Sequence, residues 1–198
     1  MKSLAFLALS VFGLLATSVS AAERFDRSLE LQGIRFRVTS ANSGSVNTLR
    51  IVPAGKLARR TVITQEIMGS VTGAEIADLN ADGWPEIYVY VTSAGSGSYG
   101  TVFGFAVNRG KSVTPITLPE LTDDPVASKG YQGHDVFSVV ENTLGRRFPL
   151  FNDGDSNSSP SGGRRQLHYR LKPGEAGWQL EFDRRKTQQH DAAEGKQK

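Results

Sequence analysis

The chain has 198 residues, of which 38% are hydrophobic and 22% are charged, and its formal net charge is +3 at pH 7. This length fits one ordinary domain, and the apolar fraction argues against disorder throughout. The absence of cysteine excludes a disulfide scaffold, a thiolate nucleophile and a cysteine zinc site, and the three histidines argue against a metal site built from several histidines.

The first 22 residues have the pattern of a secretory signal peptide. Lys2 is followed by an apolar stretch from Leu4 to Ala16 and then by small residues that end at Ala21 and Ala22. The apolar stretch is shorter than the ~20 residues that a membrane-spanning helix needs. We therefore expect cleavage after Ala21 or Ala22 and a soluble mature protein in the periplasm.

The positive charge is concentrated at the carboxyl end. Residues 184–198 hold five basic and two acidic residues, whereas residues 23–183 hold 17 basic and 18 acidic residues. The sequence therefore predicts a folded domain over 23–183 and a disordered basic tail over 184–198. Because the domain itself has almost no net charge, neither nucleic acid nor membrane is expected as a partner.

Short segments with two-residue periodicity follow one another along the domain. Ile34, Phe36 and Val38 alternate with polar residues, as in a strand with one solvent-facing side. Turn-forming residues separate the later segments, and no window has a convincing helical stripe. The pattern predicts an all-β fold, an antiparallel β-sandwich or flattened barrel of about eight or more strands. The other predicted strands lie at 49–51, 62–67, 87–91, 102–107, 116–118, 136–140, 148–151, 167–171 and 178–182.

The connections differ in length at the two ends of the predicted sheet. If the strands from Glu86 onward form a meander, turns alternate between the two ends. One end then carries three long loops, at 93–100, 119–133 and 152–163, and the other end carries compact turns. Long loops on a rigid scaffold are the usual place for binding residues.

The loop at 93–100 is the most distinctive segment. It has eight residues, Ser-Ala-Gly-Ser-Gly-Ser-Tyr-Gly, where a hairpin needs only ~2–5. Its serines and Tyr99 supply uncharged hydrogen-bond donors. Two interpretations are open: a protruding recognition loop, or a flexible loop with Tyr99 packed on the sheet.

Ser96-Gly97-Ser98-Tyr99 resembles the S-G-x-Y motif of bacterial periplasmic lysozyme inhibitors. The surrounding sequence is most similar to the inhibitors of invertebrate-type (i-type) lysozyme, and this resemblance runs from about Arg35 to Asp183. The segments that carry it are 77–89, 130–135, 147–149, 154–157 and 174–178. Inhibitors of c-type lysozymes include cysteine-anchored and disulfide-bonded forms, and this chain, without cysteine, departs from those patterns.

The resemblance implies a non-enzymatic inhibitor of i-type lysozyme that needs no cofactor or metal. It implies that Ser96 donates a hydrogen bond to the catalytic carboxylates, that Tyr99 occupies a sugar subsite, and that Gly97 lets the loop turn at its tip. The expected lysozyme-binding residues are Ser96, Gly97, Ser98, Tyr99, Tyr131 and Asp155. Asp123, Asp124, Lys129 and Asp153 offer secondary contacts at the same end. Arg109 and Lys111 lie at the far end and would join the site only in a homodimer.

Two other interpretations stay open. Asp78, Asn80 and Asp82 have the spacing of a calcium loop, with Glu86 following, so a calcium-stabilised secreted domain that binds carbohydrate or a protein is the alternative function. The same run is also typical of a turn whose side chains bond to the backbone. His134-Asp135 could suggest a hydrolase, although neighbouring residues of a strand point to opposite faces.

Overall fold

The computed structural model describes residues 23–175 and 177–190, so the predicted signal peptide and residues 191–198 lie outside the described part of the chain. The described residues form thirteen β-strands and two short 3-10 turns, the latter at Leu121–Asp123 and Arg184–Lys186. The strands are β1 (Phe25–Leu31), β2 (Ile34–Ser40), β3 (Val46–Gly55), β4 (Ile63–Met68), β5 (Ser70–Ala77), β6 (Glu86–Thr92), β7 (Gly100–Asn108), β8 (Ser112–Thr117), β9 (Val136–Val140), β10 (Thr143–Pro149), β11 (Arg164–Gly174), β12 (Gly177–Phe182) and β13 (Gln188–His190).

The strands make two sheets. The first is a four-stranded meander, β1-β2-β3-β4, and the second follows the order β5-β6-β7-β8-β12-β11-β10-β9, with β13 also paired to β11. All pairs are antiparallel except β8 with β12, which run parallel. The predicted all-β fold is confirmed, and both forms that the sequence left open occur: the larger sheet curls into a nearly closed barrel, and the smaller sheet packs on it as in a sandwich.

Strand β6 explains how the two sheets share their cores. All its residues from Glu86 to Val91 are buried. Tyr88 and Tyr90 belong to the cluster inside the barrel, while Ile87 and Val89 belong to the cluster between the barrel and the small sheet. A strand with both faces covered needs a nearly continuous apolar run rather than alternation, and Ile87 to Val91 supply it.

The barrel is closed between its first and last strands by a side chain. The Glu75 carboxylate on β5 accepts a hydrogen bond from the Val139 backbone N–H on β9 at 2.6 Å, and it also accepts one from the Tyr90 hydroxyl. Glu75 therefore replaces part of the backbone ladder that full closure would form. The sequence analysis did not identify β5, because its alternation is interrupted by Gly73 and by a register shift between Val71 and Gly73.

The long loops meet at one end of the barrel, as predicted, but the strands from β6 onward do not form one meander, because β8 pairs with β12 rather than with β9. The His134 backbone N–H donates to the Gly97 carbonyl at 2.8 Å, and that of Phe151 donates to the Gly130 carbonyl at 2.8 Å. Arg109 lies in the turn between β7 and β8 at the opposite end.

The carboxyl-terminal segment differs from its prediction over the residues that are described. Residues 184–190 form the second 3-10 turn and β13 rather than a disordered start of the tail. Asp183 explains the turn, because its carboxylate accepts hydrogen bonds from the Arg170 side chain at 2.5 Å and from the Arg185 backbone N–H at 3.2 Å. The basic strand β11 thus has the acidic partner that its exposed face requires. No helix among the described residues is long and apolar enough to cross a membrane.

Candidate functional site

The 93–99 loop connects β6 to β7 and has a fixed internal shape. The Ser93 backbone N–H donates to the Tyr99 carbonyl at 2.9 Å, and the Ser98 backbone N–H donates to the Gly95 carbonyl at 3.1 Å. The Tyr99 backbone N–H in turn donates to the Ser93 hydroxyl at 3.0 Å. The neck and the tip of the loop are therefore each closed by hydrogen bonds of its own.

The ring of Tyr99 lies at the rim of the site and is half exposed. A Cβ added to Gly97 would lie 2.5 Å from the Tyr99 ring, so a larger residue at position 97 would displace the ring. A Cβ added to Gly133 would lie 2.1 Å from the Gly97 carbonyl oxygen, and the φ of Gly133 is +96°. The Tyr131 ring also contacts the Tyr99 ring in a T-shaped arrangement, with ring centroids 5.8 Å apart. Glycine thus allows two loops to approach closely and leaves one face of Tyr99 in solvent.

The hydroxyl groups of Ser96 and Tyr99 have no hydrogen-bond partner among the described residues. Ser96 is exposed, and within residues 23–175 and 177–190 neither hydroxyl forms a hydrogen bond. The Ser98 hydroxyl lies 3.5 Å from the Gly95 carbonyl, at the limit of a hydrogen bond. The tip therefore presents two free uncharged donors.

A buried carboxylate supports the loop from below. Asp135 accepts hydrogen bonds from the Gly100 backbone N–H at 2.8 Å, from the Tyr131 hydroxyl at 2.6 Å and from Arg146 Nε at 2.7 Å. The Asp135 side chain is fully buried, and that of Arg146 is 7% exposed. The end of the loop is thus tied to an ion pair inside the barrel.

Electrostatics favour the charged form of Arg146 and the neutral form of Tyr131. Burial acts against the Arg146 guanidinium, but the adjacent Asp135 carboxylate outweighs it and raises the Arg146 pKa. Burial and the hydrogen bond to Asp135 also raise the pKa of Tyr131, so its phenol stays protonated. The Arg146 guanidinium carbon lies 5.0 Å from the Tyr131 ring centroid, which adds a cation–π contact.

The other residues expected to bind lysozyme fall into two groups. Asp155 holds its own loop, since its carboxylate accepts the Asn152 and Ser161 backbone N–H groups at 2.7 and 2.8 Å, and these bonds lower its pKa. Asp124 accepts the Val126 and Ala127 N–H groups and pairs with Arg184 at 2.6 Å. Asp123, Lys129 and Asp153 have exposed side chains.

The calcium-like run brings three carboxylates together. Ligand atoms of Asp78, Asp82 and Glu86 lie within 4.8 Å of one another. Asp78 already accepts the Asp82 and Gly83 backbone N–H groups at 3.0 and 2.9 Å, which is the bonding expected of a turn. Burial raises the Glu86 pKa to about 8, so this side chain is largely protonated at neutral pH. The arrangement holds a turn together, and a cation that used the Glu86 carboxylate would have to displace its proton.

His134 and Asp135 do not form a catalytic pair. The His134 ring stacks on Phe151 at 6.0 Å and faces Asn157, whereas Asp135 points into the barrel toward Arg146. The two side chains face different surroundings, but not through strand alternation, because both residues precede β9 and His134 has a left-handed backbone with φ 58°.

Arg146 is the supporting residue that the sequence analysis missed. It lies on β10 between Leu144 and Phe148, which are 0% and 1% exposed, so period-2 alternation places it on the inner face. An arginine in an inward register position requires a buried carboxylate partner, and that signal could have pointed to Asp135.

Comparison with known families agrees with the resemblance that the motifs suggested. The family model described as "periplasmic lysozyme inhibitor of I-type lysozyme" matches residues 37–128, a segment that includes the 93–99 loop. No curated protein and no solved structure matches the chain. An inhibitor family suggests a non-enzymatic protein. Residues 37–128 therefore match the family of periplasmic inhibitors of I-type lysozyme, and this family implies a lysozyme inhibitor.

Proposed function

We propose that the protein inhibits i-type lysozyme in the periplasm by inserting the 93–99 loop into the active-site cleft of the enzyme. The observation that carries this proposal is that two polar side chains at the tip of the loop are exposed and without hydrogen-bond partners within the described residues. Ser96 and Tyr99 are exposed, and neither hydroxyl forms a hydrogen bond within the described part of the chain. The family match to inhibitors of I-type lysozyme supports i-type lysozyme as the target.

The chemistry of the loop fits a glycosidase cleft. Such clefts hold two carboxyl groups on either side of the scissile bond. The Ser96 hydroxyl donates to these groups, and a hydrogen bond to a charged partner contributes about 1.5–3 kcal/mol. The loop has no charged residue of its own, so its insertion leaves no unpaired charge buried. The half-exposed ring of Tyr99 occupies a sugar subsite, where an aromatic ring replaces the apolar face of the substrate.

The shape of the loop reduces the entropy lost on binding. The Ser98–Gly95 and Ser93–Tyr99 hydrogen bonds already order its tip and neck. The tip is also shaped by two of its residues. Gly97 leaves room for the Tyr99 ring, and the left-handed backbone of Ser98, with φ 44°, turns the chain. A preformed loop binds more tightly than a flexible one because fewer rotations are lost on association.

Tyr131 and Asp155 belong to the edge of the proposed site. The Tyr131 hydroxyl is engaged with Asp135 and Arg146, so its part is to hold the Tyr99 ring and to offer its own ring edge. Asp155 shapes the neighbouring loop. The exposed Asp123 and Asp153 would speed the encounter with a basic lysozyme.

A lysis assay with the purified mature protein tests the proposal. We expect inhibition of an i-type lysozyme and much weaker inhibition of c-type and g-type enzymes. Ser96→Ala and Tyr99→Ala should each raise the inhibition constant at least about tenfold, which corresponds to about 1.4 kcal/mol. Both residues are exposed, so the melting temperature should change little.

Ser28→Ala provides a matched control. Ser28 is an exposed serine on β1, in the four-stranded sheet, and its replacement should leave inhibition unchanged. If both loop variants inhibit as well as the original protein does, the 93–99 loop is not the inhibitory element.

A further inference from the structure

Asn157 connects the 93–99 loop to its two neighbouring loops. Its side-chain N–H group donates to the Ser96 carbonyl, while its carboxamide oxygen lies 3.0 Å from His134 Nε2. With the amide oriented in this way, Nε2 of His134 is the donor of the second bond. Asn157 is 61 residues from Ser96 in the chain, so the contact exists only in the folded protein.

His134 holds the adjacent peptide of the same loop. Its backbone N–H donates to the Gly97 carbonyl at 2.8 Å, and its ring is stacked on Phe151 with an interplanar angle of 26°. The backbone of His134 is left-handed, with φ 58°, an uncommon conformation for a residue other than glycine. Two successive carbonyls at the tip, those of Ser96 and Gly97, are thus bound from outside the loop.

These contacts fix what the loop cannot fix by itself. The Ser98–Gly95 bond closes the tip and the Ser93–Tyr99 bond closes the neck, but neither sets the angle between the loop and the barrel. The contacts of Asn157 and His134 do so, because they join the tip to the loops that follow β8 and β10.

We propose that Asn157 is a positioning residue for inhibition: together with His134 it holds Ser96 and Tyr99 in the direction needed to enter the target cleft. This inference rests on the proposed function and extends the inhibitory element from one loop to three. It assigns Asn157 a role inside the inhibitor rather than a contact with the enzyme. The gain for binding is preorganisation of the loop.

Two substitutions separate the contributions of Asn157. Asn157→Ala removes both hydrogen bonds, and we expect a roughly tenfold higher inhibition constant for i-type lysozyme. Asn157→Asp keeps an acceptor for His134 but places a carboxylate against the Ser96 carbonyl, so it should weaken inhibition at least as much. Asn142→Ala, an exposed asparagine in the turn between β9 and β10 at the opposite end, is the matched control and should have no effect.

Amide hydrogen exchange in the free inhibitor distinguishes positioning from direct contact. If Asn157 positions the loop, Asn157→Ala should accelerate exchange at the His134 amide, which donates to Gly97, while the melting temperature stays within ~2 °C of the original. Weaker inhibition without faster exchange would make Asn157 a contact residue and overturn the inference. Unchanged inhibition would overturn it as well.

The same series separates this inference from the proposed function. If Ser96→Ala and Tyr99→Ala weaken inhibition and the Asn157 variants do not, the positioning role alone fails. If none of the four variants alters inhibition, the proposed function fails, and the exchange rates still report whether Asn157 orders the loop.

Discussion

Each end of the barrel buries a carboxylate, and the two carboxylates have different partners. At the end with the long loops, Asp135 is matched by Arg146 and also accepts hydrogen bonds from Gly100 and Tyr131. At the opposite end, Glu86 is 1% exposed and accepts hydrogen bonds from the Leu79 backbone and, at 3.4 Å, from Tyr88. No cation lies among the contacts of Glu86 within the described residues, and the nearby Asp78 and Asp82 carry like charges.

The difference shows how one fold uses an ion pair in one place and a neutral acid in another. A paired charge binds several donors at once in fixed directions, which suits a loop that must keep its orientation. A protonated acid needs no partner of opposite charge, but it makes stability depend on pH. The Asp135–Arg146 ion pair therefore orients the loops at one end of the barrel, whereas Glu86 makes the other end sensitive to pH.

Removing Arg146 should have the largest effect. Arg146→Met leaves the Asp135 charge buried without its partner, at a cost of about 3–5 kcal/mol. For a domain of this size the melting temperature should fall by roughly 10 °C, measured by calorimetry. The double variant Asp135→Asn/Arg146→Met, which removes both charges, should recover part of this loss. A single variant as stable as the original would show that the ion pair does not support the fold.

The Glu86 prediction concerns pH. Its pKa is about 8 in the folded protein and 4.5 when unperturbed, so between these values the unfolded state gives up a proton that the folded state keeps. Stability from this group is therefore lost as the pH rises through that window, and it is unaffected at lower pH. Melting temperatures measured from about pH 5 to pH 9 should fall less steeply for Glu86→Gln than for the original protein.

The exposed Glu66 on β4 supplies the control for this measurement. Glu66→Gln should leave the slope of stability against pH unchanged. Parallel slopes for all three proteins would mean that Glu86 ionises normally in the folded state.

The smallest effect is expected from calcium. Asp78 and Asp82 are occupied by turn hydrogen bonds, and Glu86 holds its proton near neutral pH. Calcium at about 1 mM should therefore shift the melting temperature by less than ~1 °C, and a chelator should have no effect. A shift of several degrees, abolished by Asp82→Asn, would favour the calcium-stabilised alternative.

Much of the architecture could be predicted because it depends on local patterns. Alternation at Ile34, Phe36 and Val38 reports one buried strand face, and the long apolar run of β6 reports a strand buried on both sides. Strands β1 and β5 were missed, since most residues of β1 are exposed and Gly73 interrupts β5. The parallel contact of β8 with β12 joins distant segments and has no signal in the sequence.

The candidate site was likewise predictable only in part. The 93–99 loop is visible in the sequence because its length and composition exceed what a hairpin requires. The 3-10 turn and short strand over residues 184–190 were not predicted, because charge alone does not reveal the acidic partner that Asp183 provides.

The sequence by itself determined a β-rich fold, the position of an uncharged loop and its resemblance to lysozyme inhibitors, since these follow from neighbouring residues. Only the tertiary structure decided that Tyr99 is seated on Gly97 and Gly133, that Asp135 is neutralised by Arg146, and that Asn157 reaches Ser96. The physical reason is that directional contacts such as hydrogen bonds and ion pairs depend on distances between segments far apart in the chain, which the sheet sets only when it closes.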